Sequence, residues 1–214
     1  MNCLTKKKWN ERSVLNENFN EGYLSSIEKV IDKSLNDYSR ILAVRFDLRL
    51  PKGNSDDYID IHDGFNRERL LSKFIDSLKS KVKYYVKRKN KEWRRNHRCQ
   101  LRYVWCREKE SSDNEHYHVM IIVNKDIYRM IGEYHHNGSL ASMIVSAWGS
   151  SLELDFDQVK RLVYFPKNHS YIIDYNSSEY INQYDCLFHR VSYLAKTRTK
   201  NINRYYRSFG CSTR

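Results

Sequence analysis

The sequence contains few of the residues that interrupt helices and strands. It has 2 prolines and 7 glycines among 214 residues, which leaves little room for a long flexible linker. A chain of this length can bury one full hydrophobic core, since a domain commonly contains about 100 to 200 residues. Residues 1–20 are rich in Asn and Lys and show no clear periodicity. We therefore expect a loosely ordered N-terminal arm over residues 1–20 and a single domain over residues 21–214.

Cysteine pairs and long apolar runs are also lacking. The 5 cysteines are odd in number and no CxxC pair occurs, so we expect no disulfide framework and a reducing environment. No run of 18 apolar residues is present, and residues 1–20 contain no apolar segment of signal-peptide length. Because a membrane span and a secretion signal both need such segments, the sequence predicts a cytoplasmic protein without a membrane partner.

Acidic residues are outnumbered by basic ones. The chain has 38 Lys and Arg against 26 Asp and Glu, which gives a net charge of +12 and a pI near 9.4. So strong an excess indicates a polyanionic partner, although a charge that only aids solubility is the alternative. The basic run from Lys87 to Arg98 includes Trp93. That run is either a nucleic-acid contact that combines phosphate charge with a stacking ring, or a solvated helix end.

Hydrophobic periodicity predicts an α+β fold. Apolar residues recur at three- and four-residue spacing in some segments and alternate or cluster as in strands in others. The predicted helices cover Gly22–Arg40, residues 66–90, Ser139–Trp148 and about Ser178–Lys200. The predicted strands cover Ile41–Leu50, Leu101–Cys106, His116–Val123, Lys160–Phe165 and Tyr171–Ile173. This order of elements favours a mostly antiparallel sheet.

The first predicted strand, Ile41–Leu50, carries charge on one of its two faces. Its large apolar residues share one face, and Arg45, Asp47 and Arg49 share the other, because side chains alternate along a strand. A charged face of this kind either is solvated or lines a functional site. Solvent exposure is the simpler expectation, and it is the one that we adopt.

The next two strands predict a hairpin that brings metal-binding groups together. His116 and His118 are two residues apart at the head of an apolar strand, so both imidazoles lie on one face. If Glu108 and His116 flank the hairpin loop directly opposite each other, the carboxylate points to the same face. A carboxylate and two imidazoles would then converge on one ion. A softer Zn²⁺ site that combines Glu108 with Cys106, across from His118, is the weaker alternative.

Tyr193 lies opposite the apolar stripe of the last predicted helix. At about 100° per residue, that stripe contains Tyr180 and Tyr184, which we interpret as core residues. Tyr193 instead has Lys196 one helical turn away. A tyrosine in this position is commonly a partly exposed surface residue. It is also a candidate nucleophile, because a phenol that attacks phosphate needs nearby positive charge or a metal-polarised target.

Two motifs carry a family resemblance. His116-Tyr117-His118 at the head of an apolar strand, followed by Ser192-Tyr193-Leu194-Ala195-Lys196 on a later helix, resembles the HUH endonuclease superfamily. Members of that superfamily nick single-stranded DNA in rolling-circle replication and transposition, and the order of the motifs resembles the single-tyrosine replication initiators. The chain is still more similar to the YagK/YfjJ C-terminal family of prophages and inovirus-like elements, over about residues 40–211. Further motifs that carry this similarity are Val104-Trp105-Cys106-Arg107-Glu108, Ala147-Trp148 and Tyr193-Leu194-Ala195-Lys196-Thr197-Arg198-Thr199-Lys200.

The resemblance implies a fold, a metal site and a reaction. The fold is a central antiparallel sheet of the HUH or RRM-like type, flanked by helices, with the catalytic tyrosine on a C-terminal helix. Glu108, His116 and His118 are implied to hold a divalent metal, Mg²⁺ or Mn²⁺. Tyr193 is implied as the nucleophile and Lys196 as its accompanying lysine. The implied reaction is site-specific nicking and joining of single-stranded DNA through a 5′-phosphotyrosine, in a replication initiator of a phage or related mobile element.

The sequence lacks some motifs of a complete replication protein, which predicts partner proteins and leaves other functions open. Gly132, Gly138 and Gly149 form no phosphate-binding loop and no helicase motif is present, so a host helicase and polymerase are expected at a single-stranded or hairpin origin. The charged stretch Val44-Arg45-Phe46-Asp47-Leu48 departs from the apolar, threonine-containing first motif of the initiators. A non-catalytic DNA-binding regulator on the same fold is one alternative. An RNA-binding protein is another, because a basic sheet with exposed aromatic residues suits either nucleic acid.

Overall fold

The structure, a computed structural model, describes residues 8–51, 64–109, 115–197 and 207–213. It confirms the α+β class, with a central antiparallel sheet flanked by helices on both faces. The helices are α1 Glu21–Asp37, α2 Gly64–Trp93, α3 Leu140–Leu152, α4 Phe156–Val159 and α5 Tyr180–Val191, followed by a 3₁₀ turn over Ser192–Ala195. The strands are β1 Lys8–Trp9, β2 Arg12–Ser13, β3 Arg40–Arg49, β4 Arg102–Lys109, β5 Glu115–Asn124, β6 Val163–Tyr164, β7 Ser170–Asp174 and β8 Phe209–Cys211.

The predicted histidine strand, β5, lies at the centre of the main sheet. The strand order is β6-β3-β5-β4-β8, and β7 pairs with the same edge of β3 as β6 does. Every pairing in this sheet is antiparallel. The predicted hairpin is therefore confirmed as β4 and β5, and its expected loop falls on residues 110–114, which lie outside the described residues.

The sheet separates two hydrophobic clusters. On one face, Phe46 and Val119 belong to a cluster with residues of α2 and α3. On the other face, Ala43 and Met120 belong to a cluster with residues of α1 and α5. Because helices cover both faces of β5, both sets of its alternating side chains are apolar beyond the histidines, as expected of a fully covered strand.

Local capping residues set the starts of two predicted helices. The Asn20 side chain accepts a hydrogen bond from the backbone N–H of Tyr23 at 3.1 Å, and the Ser139 hydroxyl accepts one from that of Ser142 at 3.0 Å.

Helix α2 continues to Trp93, beyond its predicted end at residue 90. The short α4 has no predicted counterpart, because four residues are too few to show helical periodicity. Among the described residues, no helix is long and apolar enough to cross a membrane.

The last helix is shorter than the sequence predicts. It ends at Val191 and continues as the 3₁₀ turn, whereas we expected it to reach Lys200, which lies outside the described residues. The reason is a long-range pairing with the N-terminal segment. The backbone N–H of Asn20 donates to the Ala195 carbonyl at 2.9 Å, and that of Thr197 donates to the Asn18 carbonyl at 3.0 Å. Backbone groups engaged in this way cannot form the next turn of an α-helix.

Residues 8–20 of the predicted N-terminal arm make contacts with the rest of the domain. Strands β1 and β2 pair with each other, and the side chain of Val14 is only 2% exposed. The Trp9 ring stacks on Phe188 of α5 with the ring centroids 5.8 Å apart. This segment shows no periodicity in its sequence. It nevertheless packs against α5, because its apolar side chains contact residues that are distant along the chain.

Deleting residues 1–20 should therefore destabilise the domain. The deletion removes a buried Val14 and the stacked Trp9, and burial of one such apolar side chain contributes about 2 kcal/mol. Urea denaturation should show a lower free energy of unfolding by at least that amount. A deletion of residues 1–7 is the matched control, since it removes none of the described contacts. Equal stability of the two truncated proteins would show that residues 8–20 are held as loosely as the sequence predicts.

Candidate metal centre

Glu108, His116 and His118 converge on one face of the hairpin. Strands β4 and β5 pair Glu108 with His116 and Cys106 with His118, which confirms the predicted register. Each of the three side chains offers a ligand atom, and these atoms all lie within 4.8 Å of one another. Glu108 is fully buried and His118 is buried, while His116 is partly exposed. The group can therefore hold a metal ion that is reached from the His116 side.

The distances within this group suit a divalent ion. The two Nε2 atoms of His116 and His118 are 3.2 Å apart, and His118 Nε2 lies 3.1 Å from Glu108 Oε2. Neighbouring ligand atoms of an octahedral ion bound at about 2.1 Å lie about 3 Å apart. His118 Nε2 is thus already at the spacing from its two neighbours that a small divalent ion requires, and all three ligand atoms lie within 4.8 Å of one another. Their mixture of imidazole nitrogen and carboxylate oxygen is compatible with Mn²⁺ and Mg²⁺ and does not by itself select either.

Arg45 and Asp47 form a second layer behind His118, and here our expectation of a solvated face was wrong. Arg45 is 6% exposed and Asp47 is 8% exposed. Strand β3 pairs Asp47 with His118, so both side chains lie on the face of the metal-binding group. Of the three charged residues on this face of β3, only Arg49 is exposed. The alternation was predicted correctly, but it could not reveal that α5 and the 3₁₀ turn cover this face.

This second layer fixes the orientation of the His118 ring. Nδ1 of His118 lies 2.5 Å from Asp47 Oδ1, and that oxygen also pairs with Arg45 Nη1 at 2.9 Å. Arg45 Nη2 also lies 2.8 Å from Nδ1, but the shorter contact with the carboxylate favours the tautomer in which Nδ1–H donates to Asp47. Nε2 then faces Glu108 and His116 with its lone pair available to a metal ion. The same arrangement is common behind metal-binding histidines, where the outer carboxylate sets the tautomer and the ring orientation.

The electrostatics of the buried group favour a cation. Burial acts to lower the pKa of His118, but hydrogen bonds to Asp47 and Glu108 outweigh it, so the pKa is raised above the ordinary value. Burial acts to raise the pKa of Asp47, but the contacts with His118 and Arg45 outweigh it, so this pKa is lowered. With neutral imidazoles, two carboxylates face the single guanidinium of Arg45. The excess negative charge can be neutralised by a proton on His118 or by a metal ion.

Tyr193 reaches the same group from the 3₁₀ turn. Its hydroxyl donates to Glu108 Oε2 at 3.1 Å, and its ring centroid is 5.1 Å from that of His118. Burial raises the pKa of Tyr193, and the nearby Glu108 carboxylate raises it further. Tyr193 is therefore not the surface residue that an isolated helix would present, and its phenol is held protonated as long as no cation offsets Glu108.

Lys196 lies beside Tyr193 but points toward the N-terminal segment. Its Nζ is 5.5 Å from the Tyr193 ring centroid and forms an ion pair with Glu17 Oε1 at 2.8 Å. Sequence reasoning missed Glu17, because nothing in residues 8–20 indicates that they pack against the turn. The Leu15 backbone N–H also lies 3.4 Å from the Ser192 hydroxyl oxygen. The N-terminal segment thus holds the turn on which Tyr193 is placed.

The remaining sequence-based candidates lie outside this group. Tyr184 is fully buried and its hydroxyl donates to Asp32 at 2.8 Å, which confirms it as a core residue. Tyr180 packs at the edge of the same cluster and is only partly buried. Cys106 is buried opposite His118, but the ligand group found among the described residues consists of Glu108 and the two histidines. The softer Zn²⁺ alternative therefore has no support from the geometry.

Asp47→Asn should weaken metal binding. The amide cannot stabilise the orientation of His118 as the carboxylate does, and loss of such an outer partner typically lowers metal affinity about 10- to 100-fold. Titration calorimetry with Mn²⁺ measures the change, and thermal denaturation checks the fold. Asp157→Asn is the control, because Asp157 is exposed and pairs with Lys160. An unchanged Mn²⁺ affinity in Asp47→Asn would contradict the assigned orientation.

Comparison with known proteins identifies the family. The family model of the YagK/YfjJ C-terminal domain matches residues 5–212. The uncharacterized protein YagK of Escherichia coli strain K12 is 36% identical over 195 residues, which cover 89% of this chain and 91% of YagK. The uncharacterized protein YfjJ of the same strain is 34% identical over 197 residues, which cover 89% of this chain and 93% of YfjJ. No solved structure matches the chain. The chain therefore belongs to the YagK/YfjJ C-terminal domain family.

Proposed function

We propose that the protein is a metal-dependent endonuclease and strand transferase of single-stranded DNA, with Tyr193 as its nucleophile. One observation carries the proposal: the same Glu108 oxygen lies 3.1 Å from the Tyr193 hydroxyl and 3.1 Å from His118 Nε2. A phenol is thereby placed directly beside a group that can hold a metal ion. Such a pairing of nucleophile and metal site is suited to phosphodiester transfer to a side chain, because the ion can polarise the phosphate that the phenol attacks.

The chain contributes ligands, orientation and a nucleophile. A divalent ion held by Glu108, His116 and His118 would polarise a phosphodiester and stabilise the charge that develops on its oxygens. Asp47 keeps the His118 ring in position for this role. Tyr193 supplies the attacking oxygen, and Arg45 Cζ lies 5.9 Å from its ring centroid. Burial and Glu108 raise the pKa of Tyr193, and the positive charge of Arg45 counteracts only part of that rise; a bound metal ion would lower this pKa further.

The reaction exchanges one phosphodiester bond for another. The Tyr193 oxygen attacks phosphorus, a new O–P bond forms, and the bond from phosphorus to the 3′-oxygen breaks. The tyrosine proton leaves, and the departing 3′-oxygen takes up a proton to become a hydroxyl. The downstream segment of the strand remains attached to Tyr193 through its 5′-phosphate, so the reverse reaction can join it to another 3′-hydroxyl. A free 3′-hydroxyl can prime DNA synthesis, as in a replication initiator of a phage or related mobile element that works with a helicase and polymerase of its host.

Tyr193→Phe should prevent formation of a covalent protein–DNA adduct. The substitution removes one oxygen and little packing surface, so the free energy of unfolding should change by about 1 kcal/mol. Binding of single-stranded DNA should stay near normal. Denaturing gel electrophoresis after incubation with a labelled oligonucleotide and Mn²⁺ detects the adduct.

Two other tyrosines provide matched controls. Tyr180→Phe and Tyr184→Phe change residues of α5, which precedes the turn of Tyr193 and holds both tyrosines away from the ligand group, and both should still form the adduct. Tyr184→Phe loses a hydrogen bond to Asp32 and should be somewhat less stable. An adduct that persists in Tyr193→Phe and disappears in either control would move the nucleophile to that residue. Absence of an adduct in the unmodified protein on every strand tested would favour the non-catalytic regulator.

Chelation should separate binding from cleavage. EDTA should abolish nicking, because the ion acts on the scissile phosphate. Binding of single-stranded DNA should survive EDTA and fall steeply with added salt, because contacts between phosphates and Lys or Arg release counterions. Fluorescence anisotropy with a labelled oligonucleotide measures binding in parallel with the nicking assay. Loss of binding together with nicking in EDTA would mean that the ion stabilises the fold or the DNA complex itself.

A further inference from the structure

Most of the net positive charge of the chain lies away from the candidate metal centre. Between Lys79 and Arg98 the sequence has ten cationic residues and one acidic residue, an excess of nine charges out of the chain's net twelve. Most of this stretch belongs to α2, which packs on the sheet face formed by Phe46 and Val119. The metal-binding group lies on the opposite face, with Cys106 and α5. The proposed chemistry at Tyr193 therefore leaves this charge unexplained.

One side of α2 presents cations together with an exposed ring. Its exposed residues, at three- and four-residue spacing, are Lys83, Tyr84, Lys87, Arg88 and Lys91. The Tyr84 side chain is 70% exposed, whereas Val82 and Val86 are buried on the other side of the same helix. None of the four cations forms an ion pair with another described residue. The stripe therefore differs from an ordinary solvated helix face, where opposite charges alternate.

A cleft borders this stripe. It lies between α2 and the segment that follows β5, has a volume of about 470 Å³, and is lined by Tyr85, Lys89, Trp93 and Met130, among others. Trp93 is 37% exposed and Met130 is 72% exposed. Lys89 Nζ lies 5.3 Å from the Trp93 ring centroid and pairs with Glu92, the only acidic residue of the stretch. The cleft is within the size range of small-ligand sites.

Exposed rings beside cations match the needs of an unpaired strand. Single-strand binding combines stacking of bases on aromatic rings with cations along the backbone. The base faces of a duplex are already stacked on one another. A duplex would therefore contact the cations but could not stack its bases on the aromatic rings. The arrangement of Tyr84 and Trp93 among lysines therefore favours a single strand over a duplex.

We infer that this surface, formed by Lys83, Tyr84, Lys87, Arg88 and Lys91 with the cleft at Lys89 and Trp93, is a second binding site for single-stranded DNA. We call it the α2 surface. It lies across the sheet from Tyr193, and the choice of DNA rather than RNA rests on the proposed function. A strand that occupies both sites is held at two points, so binding should strengthen with strand length once both can be engaged.

The test measures binding without cleavage. The Tyr193→Phe protein in EDTA is titrated into a fluorescein-labelled DNA of about 30 nucleotides, long enough for two sites of about 4 to 16 nucleotides each. The combined variant Lys83→Ala, Lys87→Ala, Lys91→Ala removes three cations of the α2 surface. The matched control Lys29→Ala, Arg161→Ala, Lys167→Ala removes the same charge from exposed positions outside α2.

The α2 variant should bind far more weakly than the control. Three lost phosphate contacts reduce the slope of log K against log salt by about 2, which corresponds to a loss on the order of 100-fold at 0.1 M salt. Trp93→Ala should weaken binding of the single strand about five- to 150-fold, the range for one stacked base. Its effect on a duplex of the same length should be much smaller.

Three results would overturn the inference. Equal weakening by the α2 variant and its control would show that only net charge matters. An unchanged affinity in Trp93→Ala would remove the stacking role of the cleft. Tighter binding of RNA or of duplex DNA would contradict the assigned occupant. None of these results depends on nicking, so a failure of the proposed catalytic function would be recognised separately in the adduct assay.

Discussion

The register of β5 between β3 and β4 determines where the three metal-binding side chains and the Asp47 carboxylate behind them lie. It pairs His118 with Asp47 on one side, and His116 with Glu108 on the other. Side chains alternate along a strand, so a shift of one residue would turn these groups toward the core beneath α2. The same pairing also buries the apolar side chains of β5 on both faces. The core and the site therefore depend on one register, and selection for a stable core also preserves the geometry of the site.

A sheet built for stability alone would not bury this set of charges. Glu108, Arg45 and Asp47 are all less than 10% exposed, and removing charged groups from water costs more than their mutual attraction commonly returns. The cost is understandable if the excess carboxylate charge serves to bind a cation. Tyr193 is held against this group by the 3₁₀ turn, and the turn is held by residues 14–20. The position of Tyr193, the proposed nucleophile, thus depends on a part of the chain that is distant in sequence.

Local patterns predicted the fold and the ligand group, and long-range contacts account for what they missed. Alternation along β3 and β5, with the spacing of Glu108 before His116, was enough to predict three converging ligands. Alternation gives the face of Arg45 and Asp47, but not what covers that face, so their burial behind His118 could not be foreseen. The early end of α5 and the packing of residues 8–20 are set by each other, across about 175 positions of sequence. No pattern within either segment carries that information.

The central claim is that Tyr193 forms the covalent bond to DNA beside the metal-binding group. Its most direct test is tandem mass spectrometry of the protein after reaction with single-stranded DNA and Mn²⁺, nuclease trimming and trypsin digestion. Trypsin cleaves after Arg190 and Lys196, and the resulting peptide, residues 191–196, contains Tyr193 as its only tyrosine. The account predicts a nucleotide attached through its 5′-phosphate to this peptide. An adduct on residues 168–190, which include Tyr180 and Tyr184, would contradict it.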